Sequence, residues 1–199
     1  MHVHKFLAAG LICGGAALAL HFRASPVSTV EAGTAVRLEL EELARRAALI
    51  VEGRVIATRA FRDTRGEVRT EVTLSVDETF AGEPFGTRRF ELPGGVLADG
   101  SGTLIAGMPS VSLGEDALYF LTGESASGLR MPVGLAQGKF RLVRDEQGRL
   151  GLLRDAAELT LLDPRTGAGA PAPLPVVLDH ALVVTRIRAA RGQTQEQAR

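Results

Sequence analysis

The chain has 199 residues, 45% of them apolar, a formal net charge of +0 and a mean hydropathy of +0.12. That length allows one domain with flanking segments, and that apolar share is enough for a core. A neutral balance supplies no field to gather nucleic acid or an anionic membrane. With no Trp and with Tyr119 as the only tyrosine, the stacking platforms of single-strand binders are missing too.

Residues 1–24 read as an export signal. Lys5 precedes an apolar run from Phe6 to Leu20, which His21, Phe22 and Arg23 break. Such a run is short for a bilayer-spanning helix and suits the middle of a signal peptide. Ala17-Leu18-Ala19 meets the small-x-small cleavage rule and Phe22-Arg23-Ala24 meets it less well, so cleavage is expected after Ala19 or Ala24. The alternative is a retained N-terminal anchor, which would be the chain's one contact with a membrane. Either reading places the protein in the periplasm or outside the cell. Cys13, the only cysteine, lies inside the apolar run, so a cleaved chain carries no disulfide.

Residues 25–37 are small and polar and read as a linker, ahead of a domain spanning 38–162. Leu38, Leu40, Leu43, Ala44, Ala47 and Ala48 recur at helical spacing, with Glu41 and Glu42 early and Arg45 and Arg46 late, an order that complements the helix dipole. The pattern predicts a short helix over 39–48 and then a strand from Leu49. After a turn at 61–66, Val68, Thr70, Val72, Leu74 and Val76 alternate with polar residues as one face of a strand. Further strands are predicted at 87–93, 117–122, 129–133, 140–144 and 150–154. The 117–122 run, continuously apolar, reads as buried on both faces. Between 93 and 109 runs a glycine-rich connection. Six or seven short strands separated by turn residues predict a mainly β fold, a small antiparallel β-barrel (OB-like) or sandwich, with one short N-terminal helix. Residues 163–175 are a Pro/Gly/Ala linker. Residues 176–199 read as a C-terminal helix ending in a frayed tail.

Candidate chemistry is sparse. Gly134-Leu-Ala-Gln-Gly138-Lys139 resembles a phosphate loop, but that motif needs four residues between its glycines and Ser or Thr after the lysine; here there are three, and Phe140 follows. The stretch reads instead as a turn entering a strand, with Phe140 and Leu142 on one face and Lys139, Arg141 and Val143 on the other. The Gly123–Gly128 stretch centres no serine between two glycines, so no nucleophile elbow is present. His180, at the edge of the C-terminal helix, reads as a solvent-facing or half-packed helical residue. Arg62, Arg65, Arg69, Arg88 and Arg89 read as a solvated face interleaved with acids. No metal or cofactor is expected, and no catalytic residue is assigned. Glu115 and Asp116, just before the buried strand, are the carboxylates from which a hydrolase would be built. The 93–109 connection is the best contact surface, because long loops on a rigid β scaffold serve recognition. Gly94, Gly95 and Met108 are its candidate binding residues.

The ordered segments LELEELARRAALIVEGRV, EVRTEVTLSVDETFAGEP, RRFELPGGV, GMPSVSLGEDALYFLT and GLAQGKFRL resemble an uncharacterised family of exported bacterial proteins. The resemblance spans about residues 38–153; Ala47-Ala48 and Ala81-Gly82 stand where the family tends to have Ala-Asp and Lys-Gly. It implies an exported accessory protein, since members are often encoded beside or fused to matrixin-like metalloproteases. The layout is also similar to the OB-like barrel of metalloprotease-inhibitor domains. Those chelate the protease zinc through an N-terminal cysteine, which a cleaved chain here lacks, so that mechanism does not carry over. The reading is an exported, non-enzymatic β module whose partner is another exported protein such as a metalloprotease; the alternative is a hydrolase using Glu115 and Asp116.

Overall fold

Alternation along 68–76 continues into a hairpin longer than the sequence pattern predicts. In a computed structural model, which describes residues 33–197, β2 (Leu49–Arg62) and β3 (Val68–Ala81) pair antiparallel over their whole length, with bulges near Ile50, Glu52 and Val55. The segment read as an export signal, with its candidate cleavage positions Ala19 and Ala24, lies outside the described residues. Around this hairpin assemble β4 (Thr87–Pro93), β7 (Asp116–Leu121), β8 (Lys139–Arg144), β9 (Leu150–Arg154) and β12 (Val176–Asp179). They form one seven-stranded sheet in the order β12-β9-β8-β7-β2-β3-β4, antiparallel throughout. β7 sits at its centre, where the continuous apolar run Ala117–Leu121 is buried from both sides. β5 (Gly95–Val96) and β6 (Gly102–Thr103) make a small separate ribbon within the glycine-rich connection.

Of the two expected arrangements, barrel or sandwich, the barrel does not close. β12 and β4 end the sheet on opposite edges and do not pair with each other. A second sheet instead combines β1 (Gly33–Val36), β10 (Leu159–Leu162) and β11 (Gly169–Pro171), with β1 parallel to β10. Several segments therefore differ from expectation, β10 itself included, since no strand is predicted over 159–162. Residues 33–36 and 169–171, predicted as linker, are strands because they find partners in β10. Val176–Asp179, predicted as the start of a helix, pairs antiparallel with β9. In the other direction, 129–133 makes isolated bridges through Leu129 and Pro132 in place of a strand.

Two helices cover one face of the large sheet. α1 (Leu40–Arg46) carries Glu41 and Glu42 in its first turn and Arg45 and Arg46 in its last, and α2 (His180–Gln197) packs beside it. Leu43, Ile50, Leu118, Phe120, Phe140, Leu152 and Ile187 form the core between helices and sheet. Phe120 and Phe140 meet at 5.6 Å between ring centroids. At the rim of this face Arg186 holds Glu41 through two hydrogen bonds, 2.6 and 2.8 Å, and His180 Nε2 lies 2.8 Å from Glu52 Oε2. No helix among the described residues is long and apolar enough to cross a membrane.

The opposite face is covered by the connection between β4 and β7, irregular apart from the β5–β6 ribbon. Met108 and Val111 of the connection between β4 and β7 settle onto Val51, Val55, Val72, Leu74, Phe90 and Tyr119. This connection shapes the site.

Candidate functional site

The connection leaves β4 at Pro93-Gly94-Gly95, and both glycines have positive φ, 82° and 139°. A Cβ on Gly95 would fall 2.2 Å from Thr70 Oγ1, while that hydroxyl donates to the Gly94 carbonyl at 2.7 Å. Glycine is needed here because the backbone must cross directly onto β3. The chain then makes the β5–β6 ribbon, crosses the sheet through Met108 and Val111, and rejoins β2 where the Gly114 amide donates to the Val55 carbonyl at 2.8 Å and the Val55 amide to the Glu115 carbonyl at 2.9 Å.

Between connection and sheet lies a half-open groove of about 750 Å³. Its lining runs from Leu153 of β9 to Leu92 of β4. Those strands lie five places apart in the sheet, roughly 24 Å at the usual interstrand spacing. Toward β4 the wall is apolar. Val96, Leu104 and Ile105 line it and are 53%, 43% and 36% exposed, so they are not committed to the core.

At the β8 end the chemistry changes. Lys139, in register with Tyr119, turns its ammonium into the protein, where it donates to the Ser110 carbonyl and, at 2.5 Å, to Glu115 Oε1. The Tyr119 hydroxyl donates to the same carboxylate oxygen at 3.2 Å. The Lys139 and Glu115 side chains are only 8% and 10% exposed. Burial pulls the Lys139 amine below its ordinary range, and the Glu115 carboxylate offsets part of that. Burial, reinforced by the charge of Glu115, pushes the Tyr119 phenol far above the tyrosine range. Two residues along β8, Arg141 lies exposed in the groove, close enough to Lys139 to disfavour its charge further. Among the described residues the Arg141 side chain has no hydrogen bond or ion pair, its ladder contacts being made by the backbone.

Each candidate from the sequence has a definite place. Gly94, Gly95 and Met108 all line the groove. The two glycines shape its wall, and Met108 packs half-buried on the sheet beneath it. Glu115 and Asp116 are not brought together: Glu115 joins Lys139, while Asp116 takes two hydrogen bonds from Arg54, at 2.8 and 2.7 Å. The arginine set does not gather into one patch. Arg69 is buried against Asp63 at 2.6 Å and Glu91 at 3.0 Å, Arg65 faces Glu67 at 3.2 Å, and Arg62 and Arg88 donate to the Gly66 and Glu83 carbonyls. His180 is half-buried against Glu52, close to its expected setting. No group of three or more His, Cys, Asp or Glu among the described residues is placed to hold a metal ion.

The glycine-bracketed lysine stretch turns out to organise the site. Gln137 is fully buried; its amide nitrogen donates to the Val36 and Gly134 carbonyls and its oxygen accepts from Leu38 N and Arg154 Nη2, at 2.9 to 3.1 Å. A Cβ on Gly138 would meet the Val133 backbone at 2.5 Å, so only glycine lets the chain enter β8 at this point. The sequence missed the partnership of Lys139 with Glu115, which are 24 residues apart. One signal bore on Lys139 alone: it is the only lysine after Lys5. Comparison with protein families, with curated proteins and with solved structures returns no match.

Proposed function

We propose that this is an exported, non-enzymatic accessory module that binds another protein through the groove under the 93–109 connection. The large sheet and the smaller β1-β10-β11 sheet would serve as a sandwich-like scaffold holding that connection. The observation that carries the reading is the groove's apolar wall. Val96, Leu104 and Ile105 remain exposed on a connection that crossing glycines and the Lys139 contacts hold in place. Exposed apolar side chains beside a rigid frame are the usual anchors of recognition. The family resemblance adds export and a metalloprotease as the partner class. Glu115 and Asp116 facing different cations supports the binding reading over the hydrolase.

The test compares the wild-type protein with a Leu104→Glu/Ile105→Glu variant as baits in the producing cell's exported fraction. A partner retained by the wild type and lost from the variant is expected. Equal retention by both baits, or no reproducible partner, would remove the groove from this role.

A further inference from the structure

We propose that Lys139 is the nucleophile of a covalent capture site for small 2-oxo acids, with Glu115 moving the proton and Arg141 receiving the carboxylate. This goes beyond the protein-binding role and needs no partner protein. The three side chains line one end of one cavity. Lys139 and Arg141 stand two apart on β8, so they face the same side of the sheet, roughly 7 Å apart along the strand. That spacing suits a ligand whose carboxylate and reacting carbonyl are on neighbouring carbons. Arg141 has no internal ion-pair partner among the described residues, and a guanidinium grips a carboxylate through two parallel hydrogen bonds. Met108 and Val111 line the same cavity and offer apolar surface to the ligand's remaining carbons.

A protonated amine does not attack a carbonyl, so the site must first remove a proton. Glu115 Oε1 is 2.5 Å from Nζ and accepts it, leaving a neutral amine and a carboxylic acid. Burial favours this transfer by disfavouring the ammonium. The amine lone pair forms the C–N bond to the 2-oxo carbon, one N–H proton passes from nitrogen to the former carbonyl oxygen, now a hydroxyl, and a neutral carbinolamine results. Glu115 then returns its proton to that hydroxyl, the C–O bond breaks, and water leaves. The product is a protonated imine on Lys139, with Glu115 again ionised. One ammonium and one carbonyl give one iminium and one water, and no oxidant or reductant is consumed.

The full-length protein is incubated with sodium pyruvate, reduced with borohydride and mapped by peptide mass spectrometry. Acetaldehyde is the probe that lacks a carboxylate. A reduced pyruvyl adduct is expected on Lys139, about tenfold or more above that on Lys5, and absent at residue 139 from Lys139→Arg, which keeps the cation. Arg141→Ala is expected to lower the pyruvate adduct about tenfold while leaving acetaldehyde labelling within about twofold, as fits the loss of one charge-assisted contact. Glu115→Gln is expected to slow labelling at least about a hundredfold, the low end of the effect of losing a positioned base. Labelling of Lys139 no greater than that of Lys5, or equal in native and urea-unfolded protein, overturns the capture site. Undiminished pyruvate labelling in Arg141→Ala overturns the 2-oxo-acid assignment, and an unchanged rate in Glu115→Gln overturns the role of Glu115.

Discussion

The two faces of the seven-stranded sheet are built on different terms. Under α1 and α2 the contact is apolar side chain against apolar side chain, and the Glu41–Arg186 ion pair and the Glu52–His180 hydrogen bond sit at its margin. Under the 93–115 connection an apolar cluster is also present, but a lysine, a carboxylate and a phenol are buried beside it and a groove stays open. Helices close a face by filling it. A crossing connection fastened at a few points covers a face while leaving space, and that space is where ligand chemistry can be held.

The largest expected effect lies on the helix face. Phe140→Ala removes a fully buried ring that touches Phe120 and leaves a cavity with no access to water, so a loss of about 3–5 kcal/mol is expected in urea unfolding. A loss below about 1 kcal/mol would mean that the helix face is no better packed than the groove side, and the contrast between the faces would fail.

Next comes the buried pair. Glu115→Ala leaves the Lys139 ammonium without its counter-charge, beside the Ser110 carbonyl and the Tyr119 ring, and about 3 kcal/mol of destabilisation is expected, the low end for breaking a buried ion pair because the groove admits water. The double variant Glu115→Leu/Lys139→Met should recover most of that loss, since two apolar side chains of similar size need no partners. If the double variant is as unstable as the single, the pair contributes more than mutual neutralisation.

How much of this contrast was legible in the sequence depends on how local each signal is. β3 was readable because one of its faces rests on Val72 and Leu74, and period two follows from burying one side. α1 was readable from its apolar spacing and the order of its charges. β1 and β12 were not. GTAV carries no strand pattern of its own and becomes a strand only by lying against β10, far along the chain. Val176–Leu178 reads equally well as the first turn of the helix that follows, and only pairing with β9 decides between them. For the site, the connection and its glycines were legible because Pro93-Gly94-Gly95 is a local turn signal. The fastening of Lys139 to Ser110 and Glu115 was not, because no residue pattern specifies which side chains meet across β7 and β8. The adjacency of Glu115 and Asp116 was misleading for the same reason: neighbours at a strand entry turn to different partners.

The third effect is read by pH. Tyr119 is the only tyrosine, so phenolate absorbance reports on this site alone. Its folded-state pKa is raised above the unfolded value of 10.0. In the window above pH 10 the unfolded chain therefore binds fewer protons than the native one. The stabilising contribution of the phenol is complete below that window and is lost as pH rises through it. The expected slope reaches about 1.4 kcal/mol per pH unit. Burial of Lys139 acts in the opposite sense just below the ordinary lysine range, so Lys139→Met should expose the tyrosine limb more clearly. In an alkaline titration, phenolate should appear only together with the loss of circular dichroism. Phenolate forming at its ordinary pH in a protein still folded would show that water already reaches the base of the groove.

The smallest effect bears most directly on function. Ile105→Ser and Val96→Ser remove apolar side chains that line the groove yet are 36% and 53% exposed. Little surface leaves water when such residues fold, so each substitution should shift stability by no more than about 0.5 kcal/mol. A loss several times larger would mean that these side chains are part of the sheet's covering, and the groove would be an imperfection of packing. A near-zero change joined to loss of partner retention would mean the reverse. Apolar side chains that contribute nothing to the fold, held still by Gly94, Gly95 and the Lys139 contacts, are then explained by what they bind.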